Sequence, residues 1–508
     1  MSGNEDKDEK KATDAEAKDD TSKKPPAHHE EAFSETHHTL MVGGDEISYT
    51  ATAGRIVLKE EDDTKKASFF FTAYTKDGVA DPATRPIVFA FNGGPGSSSV
   101  WLHLGILGPK RVLLDDKGNL ERLPGELIDN DQTLLTDADL VFIDPVSTGY
   151  TRALEKDEER SYHHFEKDIE SVGAFVRMYL TRYGRWASPK FLAGESYGTT
   201  RSAGLAGHLM NRYGIYLNGV ILISSVLSFQ TIALDESTYT FHRGNDLPYV
   251  VYLPSYTATA WYHKALDEDL QARDLPDLLA EVEAFAEGEY LLALQRGSRI
   301  DDQTASDIAA ALAQYTGLDE TFIRRSDLRI EKFHFMKELL RDQGVTVGRL
   351  DSRYKGVDRY DVGSMLEHDP SLDVWMSPYT STFNDYVRRE LGYESDLVYE
   401  ILNPKVWPWN YEKFQNAYVE VSETLRDTMT KNPGMQVYVA SGYYDLATPY
   451  FATEYTIAHL GLEEALRNNV EISYFDAGHM MYVHRPSIER LGPELRAFVA
   501  RAAPPVLA

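Results

Sequence analysis

Cysteine is absent from the 508 residues of this chain. Its absence excludes disulfide bonds, zinc–thiolate sites, iron–sulfur clusters and cysteine nucleophiles. Long hydrophobic runs are absent too, since the longest apolar stretch, residues 220–229, is interrupted by serines. A membrane-spanning helix needs about 20 predominantly apolar residues, so none is predicted.

Positive charge is scarce in this sequence. Lys and Arg together number 52 against 80 Asp and Glu, which leaves a formal net charge of −28. We therefore predict neither a nucleic-acid partner nor a membrane partner, because phosphate groups would repel the chain. Hydrophobic residues make up 42% of the sequence, which is enough for a sizeable core and excludes wholesale disorder.

The N-terminal segment is charged and poor in apolar residues. Residues 1–36 are predicted to form a disordered tail, because they bury too little apolar surface to offset the entropy cost of ordering. The segment also lacks the apolar stretch of a secretory signal peptide, which predicts a cytoplasmic protein. A secreted or periplasmic protein would have the same sequence if its signal had been removed.

The remaining sequence predicts an α/β fold. Residues 40–74 alternate in polarity and predict antiparallel strands. From residue 85 to 229, the short apolar runs PIVFAFN, DLVFID, KFLAG and GVILIS alternate with helical patterns, which is typical of a largely parallel sheet. MQVYVASG and VEISYFDAG, near the C-terminus, predict two further strands of the same sheet.

Helical patterns dominate the middle of the chain. We therefore predict a core in two parts, residues 37–230 and 421–508, with a mainly helical cap inserted at residues 231–420. The cap contains several aromatic residues that would either line a substrate pocket or fill the core of the cap. They are Tyr249, Tyr252, Tyr256, Trp261, Trp407 and Trp409.

The motif that carries chemistry is GESYG, residues 194–198. It has the form G-x-S-x-G, follows an apolar strand and precedes a helical pattern. In such a turn the serine hydroxyl projects above the sheet, and small flanking residues avoid clashes. Ser196 is therefore the predicted nucleophile, and the N–H of Tyr197 lies where an oxyanion is stabilised.

A serine nucleophile needs a base and an acid that orients it, and α/β-hydrolases supply them in the order Ser, Asp, His. Asp445 follows a late predicted strand, and His479 follows the next one. His484 is an alternative base, although it lies deeper in the following segment. Asp476 is an alternative acid, although it is too close in sequence to His479 to approach its ring easily.

A glycine-rich segment, NGGPG at residues 92–96, follows an early strand. Successive glycines let backbone N–H groups approach a ligand closely, and such a nest binds anions. It is the natural source of a second oxyanion donor. A phosphate-binding loop is excluded, because the Lys-Ser/Thr ending is missing.

The motifs FNGGPGSSS, GESYG, SGYYD and GHMM, in this order, resemble those of the serine carboxypeptidases, peptidase family S10. The resemblance covers roughly residues 85–490 and implies an α/β-hydrolase fold with no metal or cofactor. It also implies roles for eight residues: a triad of Ser196, Asp445 and His479, oxyanion donors at Gly94 and Tyr197, and binding of the substrate's C-terminal carboxylate by Asn92, Gly93 and Glu195. Glu195 donates a hydrogen bond to that carboxylate only when it is protonated.

Two departures from the family pattern matter. Many secreted eukaryotic members have a second glutamate where this sequence has Ile106, and His103 or Arg201 are candidates to replace it. A cysteine of those members corresponds to Ser97. Because SGYYDLATPYFATEY and GHMMYVHRPS resemble bacterial members, we favour a bacterial source.

The sequence thus predicts a serine carboxypeptidase that acts on peptides with a free C-terminus through an acyl-enzyme. An esterase or acyltransferase with the same triad is the main alternative, since the triad does not fix the acceptor. A non-catalytic binding protein is a third hypothesis, which a missing triad residue would have favoured.

Overall fold

The computed structural model describes residues 29–232, 234–235, 240–414 and 416–503. Its centre is a ten-stranded sheet, in which the short strand Arg152–Ala153 pairs with the third long strand. The other nine strands are β1 (Ala32–Val42), β2 (Asp45–Lys59), β3 (Lys65–Lys76), β4 (Ile87–Phe91), β5 (Asp139–Ile143), β6 (Lys190–Glu195), β7 (Gly219–Ile223), β8 (Gln436–Gly442) and β9 (Val470–Phe475).

The order across the sheet is β1-β2-β3-β5-β4-β6-β7-β8-β9. The strands from β1 to β3 pair antiparallel, as does β3 with β5, and every pair from β5 to β9 is parallel. The predicted fold class, a mostly parallel sheet with antiparallel strands at its N-terminal end, is confirmed. Two-stranded pairs lie outside this sheet: Lys110–Val112 with Leu127–Asp129, Leu234–Asp235 with Thr240–Phe241, and Thr346–Val347 with Lys355–Gly356.

The parallel strands are buried on both faces, which explains their continuous apolar runs. In β4, Val88 and Ala90 point into one hydrophobic core, whereas Ile87, Phe89 and Phe91 point into the core on the opposite face. Because alternate side chains of a strand point to opposite faces, an unbroken apolar run fills both cores at once.

Helices cover both faces of the sheet. The longer ones are α1 (Phe165–Arg182), α2 (Tyr197–Tyr213), α3 (Leu247–Tyr262), α4 (Leu275–Phe285), α5 (Leu291–Arg296), α6 (Asp302–Thr316), α7 (Glu320–Arg325), α8 (Lys332–Glu338), α9 (Pro370–Arg389), α10 (Ser422–Lys431), α11 (Tyr450–Ala458) and α12 (Arg485–Ala502). Short helices span Val100–Leu102, Glu268–Gln271 and Glu464–Arg467, and π-helical turns span His103–Leu107 and Ala286–Tyr290. Within the described ranges, no helix has the length and apolar character needed to cross a membrane.

Two boundaries differ from those expected from the sequence. β1 begins at Ala32, inside the predicted tail of residues 1–36, because its backbone pairs along β2 despite its polar side chains. Residues 1–28 of that tail lie outside the described residues. The predicted cap, residues 231–420, is divided: α3 to α8 surround a third core, whereas Trp375 and Tyr379 of α9 pack into a core of the main sheet.

A buried ion pair fixes α2 beneath the site. Arg201 of α2 and Asp168 of α1 have side chains that are 1% and 3% exposed, and Arg201 Nε lies 2.8 Å from Asp168 Oδ2. Arg201 Nη1 also donates to the carbonyl of Asn92 at 2.6 Å. One guanidinium therefore joins two helices and the loop that follows β4.

We expect Arg201→Ala to lower the free energy of unfolding by about 3–5 kcal/mol, because Asp168 would remain buried without a partner. The double change Arg201→Met with Asp168→Leu should recover much of this loss. Urea denaturation measures both. Arg122→Ala, which removes an exposed partner of Glu126, is the control and should change stability by less than about 1 kcal/mol. A similarly small effect of Arg201→Ala would contradict the assignment.

Candidate active site

The predicted nucleophile lies on a tight turn between β6 and α2. Ser196 follows Glu195, the last residue of β6, and has a backbone φ of 59°, which residues other than glycine rarely adopt. Its N–H donates to the Ile223 carbonyl at 3.0 Å, and its carbonyl accepts from the Thr199 N–H at 2.8 Å. These bonds hold Ser196 at the carboxyl edge of the parallel strands.

The glycines of the G-x-S-x-G motif let this turn close on itself. A methyl group at Gly194 would lie 2.2 Å from the Gly198 carbonyl oxygen. A methyl group at Gly198 would lie 2.9 Å from the Phe91 carbonyl oxygen of β4. Both distances are shorter than van der Waals contact. The backbone segments around Ser196 can therefore pack this closely only because Gly194 and Gly198 have no side chains.

The loop after β4 packs directly on the start of α2. A methyl group at Gly93 would lie 2.4 Å from the backbone nitrogen of Tyr197. Gly94 follows with φ +101°, which favours glycine. Gly94, Ser196 and Tyr197 line one cavity. The two predicted oxyanion donors therefore lie beside the predicted nucleophile, at a helix N-terminus where negative charge is favoured.

Asp445 and His479 form a buried pair at the ends of β8 and β9. His479 Nδ1 lies 2.7 Å from Asp445 Oδ2, and the two side chains are 5% and 0% exposed. Asp445 also accepts from the N–H groups of Ala447 and Thr448, at 2.7 and 2.9 Å. Burial lowers the pKa of His479, but the charge and hydrogen bond of Asp445 outweigh it, so the pKa is raised overall. Asp445 is thus placed to orient the ring and stabilise its charged form.

Hydroxyl groups connect this pair to the nucleophile turn. Thr448 Oγ1 lies 2.8 Å from Asp445 Oδ2, and Ser224 Oγ donates to the His479 carbonyl at 2.6 Å. Ser224 directly follows Ile223, whose carbonyl holds Ser196. Among the described contacts, no hydrogen bond joins the Ser196 hydroxyl to the His479 ring. Such bonds often tighten only when substrate is bound.

The alternative acid and base lie elsewhere. His484 Nδ1 contacts the Ser487 hydroxyl at 2.8 Å, and Asp476 is exposed. Both line a different cavity, together with Tyr444 and Arg353. This placement favours Asp445 and His479 over Asp476 and His484.

The predicted carboxylate site is closely packed. Glu195 is 4% exposed, and burial raises its pKa to about 7, although the nearby His479 charge opposes this shift. Asn92 is 1% exposed, and its Oδ1 accepts from the Leu102 N–H at 3.1 Å. Its amide nitrogen makes no hydrogen bond of good geometry within the described part of the chain, but it lies close enough to Glu195 to lower the pKa of that carboxyl. A buried amide donor whose hydrogen bonds are not fully used is suited to an anionic ligand.

Tyr482 is a site residue that the sequence interpretation missed. Its hydroxyl donates to Glu195 Oε2, and a methyl group at Gly105 would lie 2.4 Å from its ring. Gly105 directly precedes Ile106, so the tyrosine ring occupies the neighbourhood of the absent second glutamate. Burial raises the pKa of the Tyr482 hydroxyl well above its usual value, so it stays a donor. The available signal was its position three residues after His479.

The two side chains considered as replacements for that glutamate have other partners. His103 Nε2 lies 2.6 Å from the Tyr74 hydroxyl, and burial lowers the pKa of His103 to about 3, which keeps it neutral. Arg201 is paired with Asp168 and with the carbonyl of Asn92. Arg201 therefore supports Asn92 from below and is not placed to meet a substrate.

A cavity of about 1110 Å³ opens beside Ser196. Its wall is largely apolar and aromatic, and it includes Phe229, Trp407 and Tyr411. Two cationic side chains, Lys332 and Arg349, also line it. Of the six aromatic residues considered for a pocket, Trp407 lies in this wall. Tyr249, Tyr252 and Tyr256 are buried in the cap core, Trp261 packs against that core, and Trp409 packs against Tyr197.

The serine turn after β6, the acid after β8 and the histidine after β9 place the molecule in the α/β-hydrolase class. The family model of the serine carboxypeptidases, peptidase S10, matches residues 46–483, and the chain belongs to this family. The solved structure of Kex1(delta)p, a prohormone-processing carboxypeptidase from Saccharomyces cerevisiae, matches with a TM-score of 0.54 at 17% identity, over 89% of this chain and 90% of that one. At this identity the match supports the fold alone.

Sequence relatives match over shorter regions. The pheromone-processing carboxypeptidase KEX1 of Saccharomyces cerevisiae is 32% identical over 136 residues, which is 25% of this chain and 17% of the relative. The serine carboxypeptidase-like 33 protein of Arabidopsis thaliana is 31% identical over 156 residues, 28% of each chain. The chain thus spans less than a third of the length of either relative. Both relatives are eukaryotic, so the bacterial source is not confirmed.

We expect Gly93→Ala to slow labelling of Ser196 by an organophosphonate about 10²-fold or more, because the added methyl would displace the Tyr197 N–H. Mass spectrometry measures the labelling rate. Gly434→Ala is the matched control, since a methyl there meets nothing within 4 Å, and it should react at the wild-type rate. A circular dichroism spectrum checks that both variants are folded. Labelling of a folded Gly93→Ala variant within tenfold of the wild type would contradict the packing argument.

Proposed function

We propose that this protein is a serine carboxypeptidase that removes C-terminal amino acids from peptides. The observation that carries the proposal is the position of Glu195, a buried carboxyl with a pKa of about 7, directly before Ser196. A protonated carboxyl donates a hydrogen bond, whereas an ionised one would repel a substrate carboxylate. A substrate cleaved at an internal peptide bond presents no free carboxylate beside that bond, so this donor favours an enzyme that acts at the C-terminus.

In the proposed reaction, Ser196 Oγ attacks the last peptide carbonyl while His479 takes its proton. The N–H groups of Gly94 and Tyr197 stabilise the oxyanion. His479 then gives the proton to the leaving amino acid, and the acyl-enzyme forms. Water, activated by the same histidine, releases the shortened peptide, and Asp445 holds the ring throughout.

The substrate's C-terminal carboxylate is proposed to bind Asn92, Gly93 and Glu195. The amide nitrogen of Asn92 and the protonated carboxyl of Glu195 are the proposed donors. Tyr482 occupies one oxygen of Glu195, which leaves the other to carry the proton toward the substrate. Tyr482 is therefore proposed as the hydrogen-bond partner of Glu195 near the position where other members of the family have a second glutamate.

An esterase or acyltransferase with the same triad is the second proposal. It is favoured by Ile106, because a carboxylate site with one glutamate has fewer donors than a site with two. A bacterial source is also a proposal, supported by the absence of cysteine and by the segments after Asp445 and His479. The cellular location, cytoplasmic or exported, stays a prediction.

The decisive experiment measures release of a free amino acid from an N-blocked dipeptide. We expect release from the free acid, little release from the C-terminal amide, and none with Ser196→Ala. The amide keeps the scissile bond and loses only the charge that Asn92 and Glu195 bind. Equal release from acid and amide would contradict carboxylate recognition. Cleavage of simple esters without peptide release would favour the esterase.

The pH dependence of this activity tests Glu195 and Tyr482. Glu195 donates only below its pKa, so kcat/KM for a free-acid peptide should fall as pH rises through about 7. In Tyr482→Phe the lost hydrogen bond had stabilised the ionised carboxylate, so the pKa should rise and this fall should move about one unit higher.

An ester substrate without a free carboxylate provides the control for this profile. It reports on the His479 base and should lack the fall above pH 7 in both proteins. A fall that is the same for acid and ester, or that moves to lower pH in Tyr482→Phe, would refute the assignment.

A further inference from the structure

Two cationic side chains stand in the wall of the Ser196 cavity and have no part in the proposed reaction. They are Lys332, at the start of α8, and Arg349. The other wall residues are mainly apolar and aromatic. Few polar groups in an apolar pocket usually fix the orientation and identity of a ligand. These two side chains are therefore expected to influence which substrates bind in the cavity.

Lys332 is buried without a carboxylate partner. Lys332 is 5% exposed, and its Nζ lies 3.4 Å from the Tyr252 hydroxyl. Among the described side chains, Nζ forms no ion pair with a carboxylate, and its other contacts are the rings of Tyr252 and Phe333, whose centroids lie 5.5 Å away. The adjacent carboxylate, Glu331, accepts from the Tyr249 hydroxyl and the Phe241 N–H instead. A buried ammonium group without an anion is unfavourable, so the site is suited to an anion from outside the chain.

Arg349 is held in place by its backbone and not by its side chain. Its N–H donates to Asp369 Oδ1 at 3.1 Å, and its carbonyl accepts from the Leu446 N–H at 3.1 Å. Its guanidinium has only a loose contact with Asp369, at 3.9 Å. Leu446 directly follows Asp445, so Arg349 is fixed beside the acid of the predicted triad with most of its donors available.

The charge of Lys332 depends on its surroundings. Burial lowers the pKa of Lys332 to about 7, and the positive charge of Arg349 lowers it as well, whereas Asp445 and Glu331 raise it. Near neutral pH the amine is therefore partly uncharged. A bound carboxylate would favour the protonated form, because an opposite charge nearby stabilises it.

We propose that Lys332 and Arg349 form a subsite for the acidic side chain of a substrate residue beside the scissile bond. This inference rests on the proposed carboxypeptidase function and names its substrate class. The C-terminal carboxylate has the same chemistry, but Asn92 and Glu195 are placed to bind it. Those two residues are almost completely buried against the turn of Ser196.

The test is calorimetric binding of N-blocked dipeptides to the Ser196→Ala variant, which cannot hydrolyse them. Glutamate is compared with glutamine at the terminal and at the penultimate position, and each peptide is used as free acid and as amide. We expect glutamate at one of these positions to bind about 10–100-fold more tightly than glutamine, in acid and amide alike. Adding Lys332→Met or Arg349→Gln should reduce this ratio to about threefold or less.

Proton uptake gives a second readout that a merely structural role would not affect. At pH 8 the amidated glutamate peptide, which brings no C-terminal carboxylate to Glu195, should take up part of a proton on binding, because its side-chain carboxylate raises the pKa of Lys332. Calorimetry in two buffers with different ionisation enthalpies measures this number. The uptake should disappear in the Lys332→Met variant.

Arg325→Gln removes an exposed cap charge and is the control for net charge. It should leave the glutamate preference unchanged. Lys332→Met replaces a buried amine with an apolar chain of similar length, so its thermal unfolding midpoint should not fall. Equal binding of glutamate and glutamine peptides would overturn the subsite. Loss of the preference on amidation would also overturn it, since the cations would then bind the C-terminal carboxylate.

Hydrolysis of a leucine dipeptide by the wild type separates the two proposals. Hydrolysis without a glutamate preference would reject the acidic subsite alone. A glutamate preference in binding without hydrolysis would reject the carboxypeptidase proposal and retain an anion-binding cavity.

Discussion

Close contact between two backbone segments is the constraint on which the site depends. β4 and β6 are neighbours in the sheet, so the loop after β4 and the turn after β6 leave the same edge side by side. Gly93 leaves no room for a methyl group against Tyr197 N, and Gly194 leaves none against Gly198. The direction of Ser196 and the positions of Gly94 and Tyr197, the two proposed oxyanion donors, follow from this contact. Arg201 fixes it from below, because it reaches the carbonyl of Asn92.

The site also separates the roles of two buried carboxyl groups. Asp445 accepts from the backbone N–H groups of Ala447 and Thr448 and from the His479 ring, so it is well supplied with donors for a negative charge. Glu195 has the Tyr482 hydroxyl, and burial raises its pKa to about 7. Asp445 is therefore suited to orient an imidazolium, and Glu195 to donate a hydrogen bond to a carboxylate. Two carboxyl groups in one site can take different protonation states because their surroundings shift their pKa values apart.

The parts of the fold that could be predicted from the sequence are those with a local sequence pattern. The parallel strands were recognisable because strands buried on both faces read as continuous apolar runs, and Ser196 was recognisable because its turn requires glycines. The packing of α9 on the main sheet was not predictable, since an amphipathic helix does not reveal which surface covers it. Tyr482 and Glu195 are 287 residues apart, and no local pattern marks a contact of that span. A lysine in an amphipathic helix is usually exposed, so the burial of Lys332 is not predictable from its local sequence.

The cap of a chain without cysteine must be positioned by packing and ion pairs. Arg329 forms a bidentate pair with Asp246 at 2.8 Å for both bonds, and Lys337 forms a pair with Asp358 that is 2% and 1% exposed. The Arg329–Asp246 pair is partly exposed, whereas Lys337–Asp358 is buried. A buried pair contributes little net stability but disfavours misplaced arrangements, since a displaced charge would be left unpaired. We infer that these pairs fix α8, and with it the cationic wall of the cavity. The geometry of that wall therefore does not depend on the redox state of the compartment.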